Sequence, residues 1–243
     1  MSPPRFYIPV EQWNSDAPVL EGDEAHHCIS VMRRGVGDQV VVFDGAGRHA
    51  QAQIISSNGK RLELKFIHLH QTPPPSVTIT LLQAIPKGAN MELIIEKAVE
   101  LGVNEIVPVM TERTVVKLDA KEALKKREKW QRIALETCKQ CGQDWLPRVH
   151  APQQFDGVWN QLPAHELRLV AALQPDALGL KAILSSKPQS ALIAIGPEGD
   201  FTPAEYASAR AQGCLPLSLG PIVLRVETAA LCCLSVLSYE MRG

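Results

Sequence analysis

The chain has 243 residues, 45% hydrophobic and 21% charged, a balance that supports a buried core and excludes disordered, collagen-like and disulfide-stapled classes. Its 25 basic and 26 acidic residues leave a net charge of −1, which excludes capture of nucleic acid by the whole surface but allows a local basic patch. Apolar runs such as Ala191–Ile195 stop far short of the roughly 20 residues that span a bilayer, so no membrane partner is expected.

The amino terminus, Met1-Ser2-Pro3-Pro4-Arg5, carries no apolar stretch behind a basic one, and a cytoplasmic location is the expectation. A helix is predicted from Asp23, with Ala25, Cys28, Ile29 and Met32 as its apolar stripe and Arg33-Arg34-Gly35 as its end. Strands follow at Gln39–Phe43, Gln51–Ile55 and Arg61–Ile67, with turn chemistry at Asp44-Gly45 and Asn58-Gly59. These elements describe a small β-barrel with one helix. Gly45-Ala46-Gly47-Arg48-His49-Ala50 matches a dinucleotide fingerprint in letters only, because a strand and not a helix follows it.

Thr72-Pro73-Pro74-Pro75-Ser76 holds an extended backbone that neither helix nor central strand accepts, and it divides the chain into domains 1–72 and 77–243 with a 73–76 linker. Beyond it strands and helices alternate. Val77–Ala84 reads as a strand, Met91 to Leu101 as a helix stopped by Gly102, Glu105–Met110 as a strand, and Ala120 to about Cys141 as a basic helix. Leu167–Leu173, Ser190–Ile195 and Leu215–Leu219 read as strands, a capping box opens a helix at Thr202, and a last helix runs from about Thr228 to Met241. This is α/β with a largely parallel sheet.

Two glycine-proline loops follow two of these strands: Gly196-Pro197-Glu198-Gly199-Asp200, and Gly220-Pro221 through Leu224, Arg225 and Glu227. Ligands of open α/β sheets bind at the carboxyl ends of strands. Glycine lets the backbone approach a ligand, Leu217, Leu219 and Leu224 offer apolar walls, and Glu198 and Glu227 repel phosphate, so a nucleoside without phosphates fits best. No metal is expected. Glu24, His26, His27 and Cys28 lack a complete ligand set, and the thiols of Cys138-x-x-Cys141 lie at the wrong end of a helix for a stabilised thiolate. The six cysteines read as reduced, since Cys232 and Cys233 are neighbours in an apolar run. The basic stretch Lys121–Arg132 reads either as a solvated face or as a phosphate grip shared with Arg33, Arg34, Lys60 and Arg61.

A wider set of residues carries a resemblance. Met91-Glu92, Glu96-Lys97-Ala98-Val99-Glu100-Leu101-Gly102-Val103, Glu112-Arg113-Thr114, Gln140-Cys141-Gly142, Gly196-Pro197-Glu198-Gly199, Leu219-Gly220-Pro221 and Leu224-Arg225 with Glu227-Thr228-Ala229 closely resemble the ribosomal RNA small subunit methyltransferase E family. Arg5-Phe6, His27, Val31-Met32-Arg33 and Gly37-Asp38 resemble its PUA-like RNA-binding domain. The resemblance implies a SPOUT-type methyltransferase domain with a trefoil knot, S-adenosyl-L-methionine as cofactor, a homodimer, and methylation of N3 of a uridine in 16S ribosomal RNA within the small ribosomal subunit. A SPOUT enzyme acting on another RNA atom and a non-catalytic RNA-binding assembly factor are the alternatives. It implies cofactor contacts at Leu173, Gly196, Glu198, Gly199, Leu217, Leu219, Gly220, Leu224, Thr228 and Ala229. Arg225 is the expected catalytic cation, Glu198 or Glu227 the proton acceptor, and Arg5, Arg33, Arg34, Lys87, Arg113 and Lys117 the RNA contacts. Asp200, Ile222, Val226 and Gln143-Asp144-Trp145 depart from the family pattern.

Overall fold

The structure is a computed structural model and describes residues 3–184 and 187–242; Met1 and Ser2, read above for a leader, lie outside it. The chain divides into two compact units. The first runs to Pro74 and also takes Leu135–Leu146, a segment the sequence reading left with the second.

In the first unit β1 (Arg5–Tyr7), β2 (Val19–Glu21), β3 (Gln39–Phe43), β4 (Arg48–Ser57) and β5 (Arg61–Gln71) form a five-stranded sheet in the order β1-β3-β4-β5-β2. Alternation builds its core: Ala50, Ala52 and Ile54 of β4 face inward with Leu62 and Leu64 of β5, against Phe6, Leu20, Val40 and Val42. Bulges between Gln51 and Ala52 and between Ile54 and Ser56 bend the long β4–β5 hairpin around that core. At its tip the Asn58 side chain accepts the N–H groups of Lys60 and Arg61. The turn after β3 is closed by the Asp44 carboxylate, which accepts from the N–H groups of Ala46 and Arg48, and no helix opens there. The helix expected from Asp23 to Gly35 is shorter: α1 (Gly22–His26) passes into one π turn, His27–Val31. The reversal falls on Arg33, at φ 51°, and not on the glycine.

The second unit is built on parallel strands. β6 (Thr78–Ala84), β7 (Glu105–Met110), β8 (Arg148–Val149), β10 (Leu167–Ala171), β11 (Ser190–Ile195) and β12 (Leu215–Leu217) lie in the order β12-β10-β11-β6-β7-β8, and β9 (Gln153–Gln154) pairs with β7. β6 and β11 are buried along nearly their whole length because helices cover a parallel sheet on both faces. α2 (Asn90–Glu100) buries Met91, Ile94, Ile95 and Ala98, and just beyond its end Arg242 donates to the carbonyls of Leu101 and Gly102. α3 (Ala120–Cys141) crosses from the second unit into residues assigned to the first. α4 (Phe155–Val158) and α5 (Leu180–Ile183) are single turns, α6 (Pro203–Ala211) opens on the expected Thr202–Glu205 capping box, and α7 (Val226–Arg242) closes the chain. α7 starts two residues earlier than expected, so Glu227 and Thr228 occupy its first turn. Among the described residues no helix is long and apolar enough to cross a membrane.

Candidate functional site

β10, β11 and β12 are adjacent and parallel, so the loops that leave their carboxyl ends share one edge of the sheet. β12 is held on both sides by a single loop. The Ala172 N–H donates to the Leu217 carbonyl at 3.0 Å, while on the other side the Leu178 N–H donates to Pro216 and the Ser218 N–H to Leu178. Between these loops lies a cleft of about 470 Å³. Of the residues expected to contact a cofactor, Leu173, Gly196, Glu198, Leu219, Gly220, Leu224 and Ala229 line it, together with Arg225 and Glu227. Gly199, Leu217 and Thr228 do not: Leu217 is buried in β12, Thr228 is exposed, and Gly199 presents its carbonyl to Arg113 Nη1 at 2.7 Å.

Backbone requirements place the glycines. A Cβ on Gly196 would stand 3.2 Å from the Phe201 ring, and Gly220 has φ 102°, a conformation open mainly to glycine. The loop Gly196–Phe201 is braced from neighbouring elements: the Lys87 N–H donates to Glu198 Oε1 at 2.9 Å, and Arg113 grips Gly199. Glu205, buried at 6% exposure, accepts from the N–H groups of Glu112 and Thr202. Asp200, at φ 62°, accepts the Phe201 N–H and the Tyr206 hydroxyl through one oxygen, each at 2.8 Å. Burial and this carboxylate push the Tyr206 phenol up, so it stays protonated as the donor.

The charged groups sort by their partners. The Arg225 carbonyl accepts the Ala229 N–H at the start of α7, but its exposed guanidinium pairs with no described residue. Glu227, in the first turn, accepts from Asn90 Nδ2 at 3.2 Å. Asn90 also lines the cleft, and the sequence reading missed it because nothing local marks α2 as its neighbour.

Of the expected RNA contacts, Arg33, Lys87 and Lys117 are exposed without a side-chain partner among the described residues. Arg34 is half-buried, its Nε enclosed. Arg5 and Arg113 have partners within the fold: Arg5 pairs with Asp144 at 2.7 Å inside the first unit, and exposed Arg113 donates to the Gly199 carbonyl. On α3, Lys121, Lys125 and Arg132 recur at i, i+4 and i+11, which places them in one exposed stripe.

No group of three or more His, Cys, Asp or Glu among the described residues is placed to hold a metal. Burial pushes the Cys28 thiol up to about 11 and those of Cys138 and Cys214 to about 12, which leaves them inert at neutral pH. Iodoacetamide is therefore expected to label Cys141 first and half-buried Cys232 more slowly, and the remaining thiols only after denaturation, as read by peptide mass spectrometry. Labelling of Cys138 as fast as Cys141 would restore a redox role to the C-x-x-C pair.

The profile of an RNA methyltransferase domain family matches residues 73–238, and that of an RNA methyltransferase PUA domain matches residues 20–67. The ribosomal RNA small subunit methyltransferase E of Bacillus subtilis is 34% identical over 246 residues, which cover 97% of this chain and 96% of the relative. Its counterpart in Synechocystis is 34% identical over 93% of this chain and 74% of its own length. A methyltransferase of Legionella pneumophila, solved in complex with the bound cofactor SAM, superposes with a TM-score of 0.90 at 32% identity over 98% of each chain. A ribosomal RNA small subunit methyltransferase E from Neisseria gonorrhoeae, solved bound to S-adenosyl methionine, gives 0.88 at 28% identity, again over 98% of each.

Proposed function

The chain belongs to the ribosomal RNA small subunit methyltransferase E family, and on that basis we propose that it methylates N3 of a uridine in 16S ribosomal RNA of the small subunit. The cleft carries this reading. Its apolar walls at Leu173, Ile195, Leu219 and Leu224 suit a nucleoside, and its glycine loops expose backbone groups for the base edge. Neither loop offers the lysine of a phosphate cradle, and Glu198, Asp200 and Glu227 oppose phosphate while favouring a ligand with net positive charge. Those features fit S-adenosyl-L-methionine, which supplies, when bound, a methyl already activated on a sulfonium.

The protein's own task is the acceptor. A neutral uridine imide holds the N3 lone pair in resonance and becomes nucleophilic on losing its proton. Arg225, with its guanidinium unclaimed at the cleft, stabilises the developing anion. Glu198 or Glu227 takes the proton, and each is oriented through one oxygen, by the Lys87 N–H and the Asn90 amide respectively. The stripe Lys121–Lys125–Arg132, with Lys87 and Lys117, supplies phosphate contacts, and the first unit adds Arg33 as the PUA-like RNA-binding part. The two-sided hold on β12 supports a threaded chain, and exposed Leu93 on α2 with Val236 and Tyr239 on α7 supports a homodimer, which light scattering tests.

Incubating the chain with labelled S-adenosyl-L-methionine and small subunits from a strain lacking the modification is expected to yield 3-methyluridine on nucleoside mass spectrometry. A different methylated nucleoside would overturn the assignment to N3. No product despite cofactor binding would point to an assembly factor.

A further inference from the structure

Asp200 is the one non-glycine residue of the cleft wall in the left-handed region, at φ 62°. A side chain there carries a conformational cost on the order of 1 kcal/mol, which the surroundings must offset. Part of the offset is visible: Oδ1 accepts the Phe201 N–H and the Tyr206 hydroxyl, both at 2.8 Å. Tyr206 stands 3.3 Å from the Ala171 carbonyl, so this one oxygen links the loop after β11 to the end of β10, two walls of the cleft. The carboxylate is thus fixed in direction. Its second oxygen, Oδ2, takes no hydrogen bond from any described residue and is not enclosed by protein. Asp200 lines the cleft beside Asn90, Glu198, Arg225 and Glu227, and a carboxylate with one oxygen held and the other free is an acceptor for a ligand's donor.

We infer that Asp200 is a specificity-determining residue, whose Oδ2 accepts a hydrogen bond from a hydroxyl or ammonium group of the nucleoside cofactor while Oδ1 holds the carboxylate in place. This rests on the reading of the cleft as the S-adenosyl-L-methionine site. Two donors on that molecule have the right chemistry, the ribose hydroxyls and the amino-acid ammonium. Glu198 and Glu227, the other carboxylates of the cleft, each have one oxygen held by the protein, and one of the two is the proposed proton acceptor.

Titration calorimetry on the whole chain tests this with S-adenosyl-L-methionine, S-adenosylhomocysteine and 5′-methylthioadenosine, the last lacking the amino-acid ammonium. Asp200→Asn keeps an oxygen for Tyr206 and turns the other position into a donor, and it is expected to weaken S-adenosylhomocysteine about tenfold. Tyr206→Phe removes the brace but keeps both oxygens, and is expected to change affinity less than threefold. Asp200→Gly, which the backbone accepts at this φ, removes the oxygen without strain and is expected to match Asp200→Asn, so poor folding of one variant does not stop the test. Equal weakening of 5′-methylthioadenosine assigns the ribose hydroxyls, and unchanged 5′-methylthioadenosine assigns the ammonium. Wild-type affinity of Asp200→Asn for all three overturns the inference, as does an equal loss in Tyr206→Phe, which would reduce Asp200 to a brace. Failure of the unaltered chain to bind any of the three would instead overturn the assignment of the cleft.

Discussion

Arg225→Ala is expected to lower kcat for RNA methylation by about 100-fold to 1,000-fold, the range seen when one preorganised donor to a developing anion is removed, while the affinity for S-adenosyl-L-methionine changes less than threefold. The asymmetry follows from position. Arg225 fixes the start of α7 through its backbone carbonyl, a bond that alanine keeps, and the lost guanidinium holds no described residue in place. Folding is therefore spared. A cation that meets only the charge developing on the base acts in the transition state and not in cofactor binding, so kcat falls with kcat/KM. Arg225→Lys keeps the charge without the planar fork and is expected to recover part of the rate. Single-turnover kinetics beside calorimetry separates the two quantities. A parallel loss of rate and cofactor affinity would move Arg225 to the binding wall, and an unchanged rate would remove it from the mechanism.

Features written in local chemistry were readable before the structure: the apolar run of β11, the Asn58-Gly59 hairpin and the capping box at Thr202. The cleft was readable too, because two glycine-proline loops after parallel strands of one sheet must emerge at the same edge. What escaped depends on residues far apart in the chain. Asn90 reaches Glu227 across 137 positions, and Arg113 reaches Gly199 across 86. Arg113 carries the charge of an RNA contact, and only the packing shows that it grips a carbonyl. Arg33 shows the same limit locally: glycine is the usual residue at φ 51°, so the helix end was read two positions late, at Gly35.

Gln143-Asp144-Trp145, where the sequence reading expected altered RNA contacts, makes structural contacts inside the first unit. Asp144 has 9% side-chain exposure; Oδ1 accepts from Arg5 Nη2 at 2.7 Å and Oδ2 from the Thr72 hydroxyl at 2.6 Å. His49 Nδ1 lies 2.8 Å from Oδ2 without hydrogen-bond alignment. Next to it the Trp145 indole N–H donates toward the carbonyls of Thr72 and Pro73, so both residues fasten the end of β5 and the chain beyond it. Asp144→Ala leaves Arg5, at 15% exposure, with only the Gln143 carbonyl and the face of Phe43. Removing one partner of a buried pair costs about 3–5 kcal/mol, because the stranded charge keeps its desolvation penalty. Urea denaturation of Asp144→Ala is expected to show a loss near the lower end, about 3 kcal/mol, since Arg5 retains one acceptor. The same reasoning predicts partial rescue: Arg5→Met with Asp144→Leu removes both charges and is expected to be more stable than Asp144→Ala alone. A double variant as unstable as the single one would show that Asp144 acts through Thr72 and His49 and not by neutralising Arg5.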